Sequence, residues 1–406
     1  MTFLIASLIG WVAVLLVALH YRGRFYATFA AVILGIHTFV TGALWWHTGA
    51  GWPLFAYLQA VTYVHFLALV WARLRPAWWR YVVVLPAMYF VGASFLALPW
   101  GVVAAAGFTP WAPWLPFAVG LFGVFESVWA RETIVDVTLD GVDVGDARPR
   151  RWRRGHRKPN PPNGRPIRIV QVTDPHLGPW MSVRRLRRIC ARAVARRPDL
   201  IVLTGDLLTM DTNRAPRALA EALEPLRAME GRVFACRGNH DLEAPETVAH
   251  GLREAGVRLL VDEAVVVRTP AGPVQVLGID HHWRGRAAHL RRVCAEHPRV
   301  PGALRLVLLH DPGAFRRLPE GEGDLVLSGH THGGQVGLVS LGLPWTMLRL
   351  FVDMPDHGLW ARGPDRLYVH RGTGHYGYPL RVGVPAERSL LQVWWGADVS
   401  GSKKGD

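Results

Sequence analysis

The chain has 406 residues, 50% of them apolar and 19% charged, with a formal net charge of +15. Soluble domains carry about 25% charged residues, and single hydrophobic cores stop growing beyond about 250–300 residues. A single soluble globule and a disordered chain are both excluded.

The charge is unevenly placed. Residues 1–130 hold six charged side chains, Arg22, Arg24, Arg73, Arg75, Arg80 and Glu126, and the other 71 follow Ala130. The chain therefore divides into a transmembrane helical domain at 1–130, a basic Pro-rich juxtamembrane linker at 131–165, a water-facing domain at 166–396 and a polar tail at 397–406. Its three cysteines, Cys190, Cys236 and Cys294, sit in apolar stretches. They suit buried side chains better than a disulfide framework, and lean towards a reducing compartment.

A bilayer core takes about 20 apolar residues per helix. Five stretches qualify: 2–21, 25–46, 53–72, 81–100 and about 113–130. Arginine pairs, glycines, prolines and most of the local tryptophans mark the breaks, as an interfacial belt should. The opening stretch lacks a basic leader, so it reads as an anchor. The basic loops all fall on one side, which places the N-terminus outside and the catalytic domain in the cytoplasm of an inner or plasma membrane. An exported enzyme is the opposite orientation. His20, His37, His47 and His65 lie in or beside these spans and leave a transport pathway open as a minor reading.

Residues 148–158 carry seven basic side chains in eleven, followed by Pro159-Asn160-Pro161-Pro162-Asn163-Gly164. Tethered beside a bilayer, this run suits anionic headgroups, and nucleic acid is not expected.

From Pro166 short apolar strands alternate with helices, the pattern of a layered α/β domain. Strands are expected at 166–173, 199–204, 231–236, 257–268, 274–279, 304–309 and 324–328. Helices are expected near 182–197, 215–228, 245–255 and 286–297. The first of these helices has an arginine-rich face, suited to solvent or to a membrane surface.

Polar residues gather where strands end: Asp174-Pro175-His176, Gly205-Asp206, Gly238-Asn239-His240-Asp241, His310 and Gly329-His330-Thr331-His332-Gly333-Gly334-Gln335. In open α/β sheets the ligand site lies beyond the carboxyl ends of the strands. Carboxylates, imidazoles and an amide oxygen suit divalent Mn, Fe, Zn or Mg. Seven such donors exceed one tetrahedral site. Two ions about 3.5–4 Å apart clamp the attacking and leaving oxygens of a displacement at phosphorus.

These five segments resemble the five-part signature of calcineurin-like metallophosphoesterases, and most resemble the bacterial membrane-anchored branch with Gly-His-Thr-His-Gly-Gly-Gln. They are also similar to transmembrane proteins with a metallophosphoesterase domain. The resemblance covers about 166–396. Pro175 departs from the more usual leucine. It implies a four-layer α-β-β-α sandwich with a dinuclear centre, beside the all-α transmembrane bundle of about five helices. One metal would take Asp174, His176, Asp206 and His332. The other would take Asp206 as a bridge, Asn239, His310 and His330. His240 becomes the proton donor or phosphate contact.

The expected protein is a membrane-anchored phosphoesterase that uses a dinuclear metal-activated hydroxide. Its candidate substrate is a lipid-linked phosphodiester or pyrophosphate. The alternative is a membrane sensor or transporter whose phosphoesterase-like domain only binds ligand. Arg371 and Arg381 are candidate phosphate contacts. The histidine-rich segment 279–283 is read as a polar loop. The apolar segment 336–360 is either core or a greasy lip.

Overall fold

The computed structural model describes residues 1–145, 148–152, 161, 163–375 and 377–396. The expected tail at 397–406 and most of the basic run at 148–158 lie outside them.

Among the described residues three helices are long and apolar enough to cross a membrane: Thr2–His47, Gly49–Leu69 and Ala77–Leu96, with a shorter apolar helix at Leu115–Val128. The first holds two of the expected stretches. Its helical run, Thr2–Leu44, breaks at Gly23, where φ is 80° and ψ is −179°. Only glycine takes that conformation cheaply. The chain folds back there. A Cβ on Gly42 would stand 3.0 Å from Leu4 Cδ1, and Phe3 stacks on Trp45 with centroids 3.9 Å apart. In a straight helix residues 4 and 42 would lie about 57 Å apart. The expected stretch 81–100 is divided at Ala97 between the helices ending at Leu96 and beginning at Leu98. Prolines occupy the first turns of the helices beginning at Trp52, Leu98 and Leu115, where a missing N–H costs nothing.

Among the described residues thirteen strands form two sheets. The first sheet runs in the order β1 (Arg131–Leu139), β13 (Glu387–Trp395), β3 (Ile167–Val172), β4 (Leu200–Thr204), β5 (Val233–Cys236) and β6 (Arg258–Leu259). The second runs β2 (Arg150–Arg151), β11 (Gly358–Arg362), β12 (Asp365–Val369), β10 (Leu325–Ser328), β9 (Leu304–Leu309), β8 (Gly272–Ile279) and β7 (Glu263–Thr269). Strands β3 to β6 are parallel, as are β8, β9, β10 and β12.

Side-chain alternation builds the layers. Ile169, Leu200 and Val202 of the first sheet meet Leu304, Leu306 and Leu325 of the second in one buried core. The opposite face of the first sheet, with Val170, Val172 and Ile201, packs on the helices Val183–Ala195, Pro216–Leu223 and Pro245–Glu254. Val307 and Val326 pack on the helix Arg286–Glu296 and the turn Pro312–Arg317. Gln171 is buried between the sheets, donating to Thr204 Oγ1 at 2.8 Å and to the Ser328 carbonyl at 3.0 Å. All three cysteines are buried and free.

Two sequence expectations are corrected. Residues 131–139 and 150–151, assigned to the linker, are strands. β1 pairs in parallel with β13 along its whole length, and Val135, Val137 and Leu139 alternate inward on the core between the sheets. Arg151 reaches Asp356 at 2.7 Å and lies over the Trp360 ring. The single strand expected at 257–268 is instead two strands in different sheets, β6 and β7. Asp262, with φ 55°, turns the chain from one to the other.

The apolar helices and the sandwich are packed together. Gly123 allows a close approach, since a Cβ there would stand 2.9 Å from Leu380 Cδ1. The Arg381 amide donates to the Gly123 carbonyl at 3.2 Å. Glu126, the lone acid of the apolar region, is buried; its Oε1 accepts from Ser340 Oγ at 3.0 Å and its Oε2 from the Gly383 amide at 2.6 Å. Glu126→Ala leaves those donors unsatisfied. It should cost about 1–3 kcal/mol and expose residues 336–352 to protease. Thermal unfolding and limited proteolysis in detergent check this, and an unchanged digestion pattern would show that the contact does not hold the loop.

Candidate metal centre

β3, β4 and β5 end beside β9 and β10, so five turns from two sheets meet at one edge of the sandwich. The turns are strained. Among the described residues, nine other than glycine have positive φ, and five of them are Asp174, His176, Asp206, His330 and His332. Such conformations cost about 1–3 kcal/mol each and mark functional sites.

The donors fall into two adjoining groups, Asp174 with His176 and His332, and Asp206 with His310 and His330. In the first, His176 Nε2 lies 3.2 Å from His332 Nε2, and His332 Nε2 lies 3.5 Å from Asp174 Oδ1. Asp206 Oδ2 sits between the groups, 3.3 Å from His310 Nε2 and 3.7 Å from His176 Nε2. Asn239 Oδ1 is buried and finds no hydrogen-bond partner among the described residues. An orphaned amide oxygen beside two carboxylates and four imidazoles fits a divalent cation.

Backbone carbonyls aim the imidazoles. His310 Nδ1 lies 2.6 Å from the Thr204 carbonyl and His176 Nδ1 lies 3.3 Å from that of Leu208. Each Nδ1–H donates there, which turns Nε2 towards the site. Burial pushes the pKa of His176 and of His330 down to about 4 and holds that of His332 well below the usual imidazole value, so these rings are neutral at pH 7, as metal donors must be. Burial raises Asp174 to about 7. Burial also opposes the charges of Asp206 and His310, but their mutual attraction wins. Asp206 is held well below the carboxylate range, and His310 is raised to about 10. The proton on His310 supplies the positive charge that an ion would bring to this pair.

Hydrogen bonds fix the carboxylates. Asp174 accepts from the His330 amide at 2.9 Å and from Thr173 Oγ1 at 2.7 Å. Asp206 Oδ1 accepts from the His240 amide at 2.9 Å. Asp241, fully buried, accepts the amides of Asp206, Leu207 and Gly238, each at 2.8 Å. It therefore splices the turns after β4 and β5. Sequence reasoning assigned Asp241 no role, although it closes the Gly-Asn-His-Asp motif.

His240 stands beside both groups and belongs to neither. Its ring centroid is 5.6 Å from that of His176. Its Nδ1 lies 2.8 Å from Glu243 Oε1. Burial pushes its pKa down, but Glu243 and Asp206 outweigh this and the net shift is upward. Glu243 was missed in the sequence, where only its position three residues after His240 could have suggested the pair.

Arg381 does not face a phosphate. It is fully buried, and its guanidinium donates to the carbonyls of His332 at 3.1 Å, Arg371 at 2.7 Å and Gly374 at 2.5 Å. It is a clamp on the loop that carries His332. Arg371 is mostly buried, with Nε donating to Glu387 Oε2 at 3.1 Å. His281, read as part of a polar loop, is buried with its ring 6.3 Å from that of His310. Leu341, Leu350 and Phe351 are exposed by 74%, 64% and 74%, so the apolar segment 336–360 is a lip in this part and not core. A third group, Asp262 with His282 and His289, stands apart, and Asp262 Oδ2 is already bonded to His289 and Arg292.

Residues 167–334 match the family described as calcineurin-like phosphoesterase. The chain is 31% identical over 240 residues to the phosphodiesterase YaeI of Escherichia coli K12, which covers 57% of this chain and 83% of YaeI. It is 32% identical over 239 residues to an uncharacterized metallophosphoesterase of Aquifex aeolicus, covering 57% of this chain and 87% of that one. It is 30% identical over 237 residues to the transmembrane protein with metallophosphoesterase domain of Danio rerio, covering 54% and 52%.

The role of Asp241 is testable without a substrate. Asp241→Ala frees three buried amides and loosens Asp206, so divalent-metal affinity should fall by about 10–100-fold. Competition with a chromogenic chelator reads this directly. Unaltered affinity in a folded variant would contradict the splice.

Proposed function

Because this chain belongs to the calcineurin-like phosphoesterase family, we propose that it is a membrane-anchored phosphodiesterase acting on a lipid-linked phosphoester from the cytoplasmic side. That it is a hydrolase of phosphoester bonds follows from its relatives. The observation that carries the reading is the placement of Asp206 Oδ2 between His176 and His310, where one carboxylate can serve two ions.

Asp174, His176, Asp206 and His332 would hold one ion, and Asp206, Asn239, His310 and His330 the other. Bound there, divalent ions would supply a nucleophile from water at neutral pH and Lewis-acid stabilisation of the phosphoryl oxygens. The chain's own groups do the rest. The buried turns keep the carboxylates fixed before substrate arrives, so no reorganisation is needed as charge develops. Glu243 holds His240 Nδ1, which leaves Nε2 to protonate the departing oxygen.

The lipid side of the proposal rests on the exposed lip. Leu338, Leu341, Leu343, Trp345, Leu350 and Phe351 continue from the loop of His330 and His332, and Ser340 of the same lip is bonded to Glu126 on the last apolar helix. An exposed apolar patch beside a reactive centre suits an acyl-bearing substrate. We take the fold-back at Gly23 as two passes of the first helical run and add the helices 49–69, 77–96 and the shorter 115–128, five in all. An odd number puts the two ends on opposite sides, and the basic loops assign the sandwich to the cytoplasm.

Detergent-solubilised protein supplied with manganese should hydrolyse phosphodiesters, and Asp206→Ala should abolish turnover while lowering bound metal. His240→Asn should keep its metal and lose about 10²–10⁴-fold, much more for alkyl than for nitrophenyl leaving groups. Equal losses across leaving groups would refute the proton-donor role, and full turnover by Asp206→Ala would refute the metal centre itself. For the orientation, a fluorescent protein fused after Asp406 should glow and an alkaline phosphatase there should be silent. The reverse pattern would put the catalytic domain outside.

A further inference from the structure

A cavity of about 310 Å³ lies where the apolar helices meet the sandwich, walled by both. Its helix side carries Arg73, Arg75 and Arg80, and its sandwich side carries Arg184. One carboxylate, Asp211, faces these four guanidiniums. Leu69, Leu74 and Val84 add apolar surface to the same wall. The cavity is therefore amphipathic, lined by guanidiniums and by aliphatic side chains.

Its surroundings are bound to both halves of the molecule. Arg80 NH2 donates to the Trp180 carbonyl at 3.2 Å, and its Nε is buried with no hydrogen-bond partner among the described residues. Arg75 NH2 donates to the Ala68 carbonyl at 3.2 Å and its guanidinium lies over the Trp79 ring. Ser182 and Val183, at the start of the helix Val183–Ala195, also line the cavity. That helix's Arg185 donates to the Ser127 carbonyl at 3.0 Å, which ties the helix to the last apolar helix.

We propose that this cavity binds the headgroup of an anionic phospholipid, with its phosphate among Arg73, Arg75, Arg80 and Arg184 and an acyl chain against Leu69 and Val84. A phosphate diester matches guanidiniums in charge and hydrogen-bonding geometry, and the aliphatic lining has no use for a free anion. Leu177 on the cavity wall directly follows His176, so an occupant ties the membrane helices to the turn that carries a proposed metal donor. The lipid is distinct from the substrate and acts as a brace between the two halves. This inference rests on the membrane reading above.

Native mass spectrometry of the full chain in detergent, titrated with phosphatidylglycerol, phosphatidylcholine or inorganic phosphate, tests it. One phosphatidylglycerol should be retained per chain in preference to phosphatidylcholine. Arg73→Gln with Arg75→Gln should weaken its retention by about thirtyfold, from about 1 kcal/mol per arginine near an anionic surface. Val84→Phe, which adds bulk to the aliphatic lining and leaves every charge in place, should also weaken it. Equal retention of the two lipids, or undiminished retention by both variants, overturns the proposal. Displacement of the lipid by inorganic phosphate would reassign the cavity to a free anion. Carbonate extraction of native membranes separates the two readings: release of the chain refutes the membrane anchor, whereas a retained chain without lipid preference refutes only the cavity.

Discussion

Everything at the centre depends on keeping the Asp206 carboxylate ionised while buried. Removing a carboxylate from water is costly unless charge and hydrogen bonds replace the lost hydration. Here His310 lies 3.3 Å away, the His240 amide caps Oδ1, and Asp241 pins the turn from behind. The turn also holds Asp206 at φ 54°, a conformation that the chain would abandon without those bonds. The strain, the burial and the hydrogen bonds form one arrangement, in which each is tolerable because of the others.

The same logic extends outward to the apolar helices. Arg381 binds the loop of His332 through backbone carbonyls, and its own amide is held by Gly123 in the last apolar helix. Glu126, one turn further on, accepts from Gly383 and from the lip at Ser340. The helices thus reach the candidate metal donors through two short paths of hydrogen bonds. A displacement of the helix 115–128 would be felt at His332. This mechanical continuity gives a reason for a phosphoesterase sandwich to be built onto apolar helices and not merely tethered to them.

Much of this was legible in the sequence because donors at strand ends are local features. Asp174, His176, Asp206, Asn239, His310, His330 and His332 each announce themselves by following a short apolar strand. What escaped was non-local. β1 has a clear inward alternation at Val135, Val137 and Leu139, but its partner β13 lies some 250 residues away, and a run of nearby arginines suggested a linker. Arg381 looked available for phosphate, since a sequence shows the guanidinium and not the carbonyls that surround it. Glu126 was visible as the lone acid among apolar residues, yet its partners sit in loops far along the chain. The break at Gly23 was foreseen from the flanking arginines, and its fold-back is seen only in the contact of Leu4 with Gly42.

The central claim is that Asp206 joins two metal ions in one site. The most direct measurement is the metal content of the manganese-loaded wild-type protein, taken together with its electron paramagnetic resonance spectrum. The account predicts two ions per chain and a spectrum of exchange-coupled manganese, as a shared carboxylate requires. One ion per chain, or two that give uncoupled signals, would contradict it.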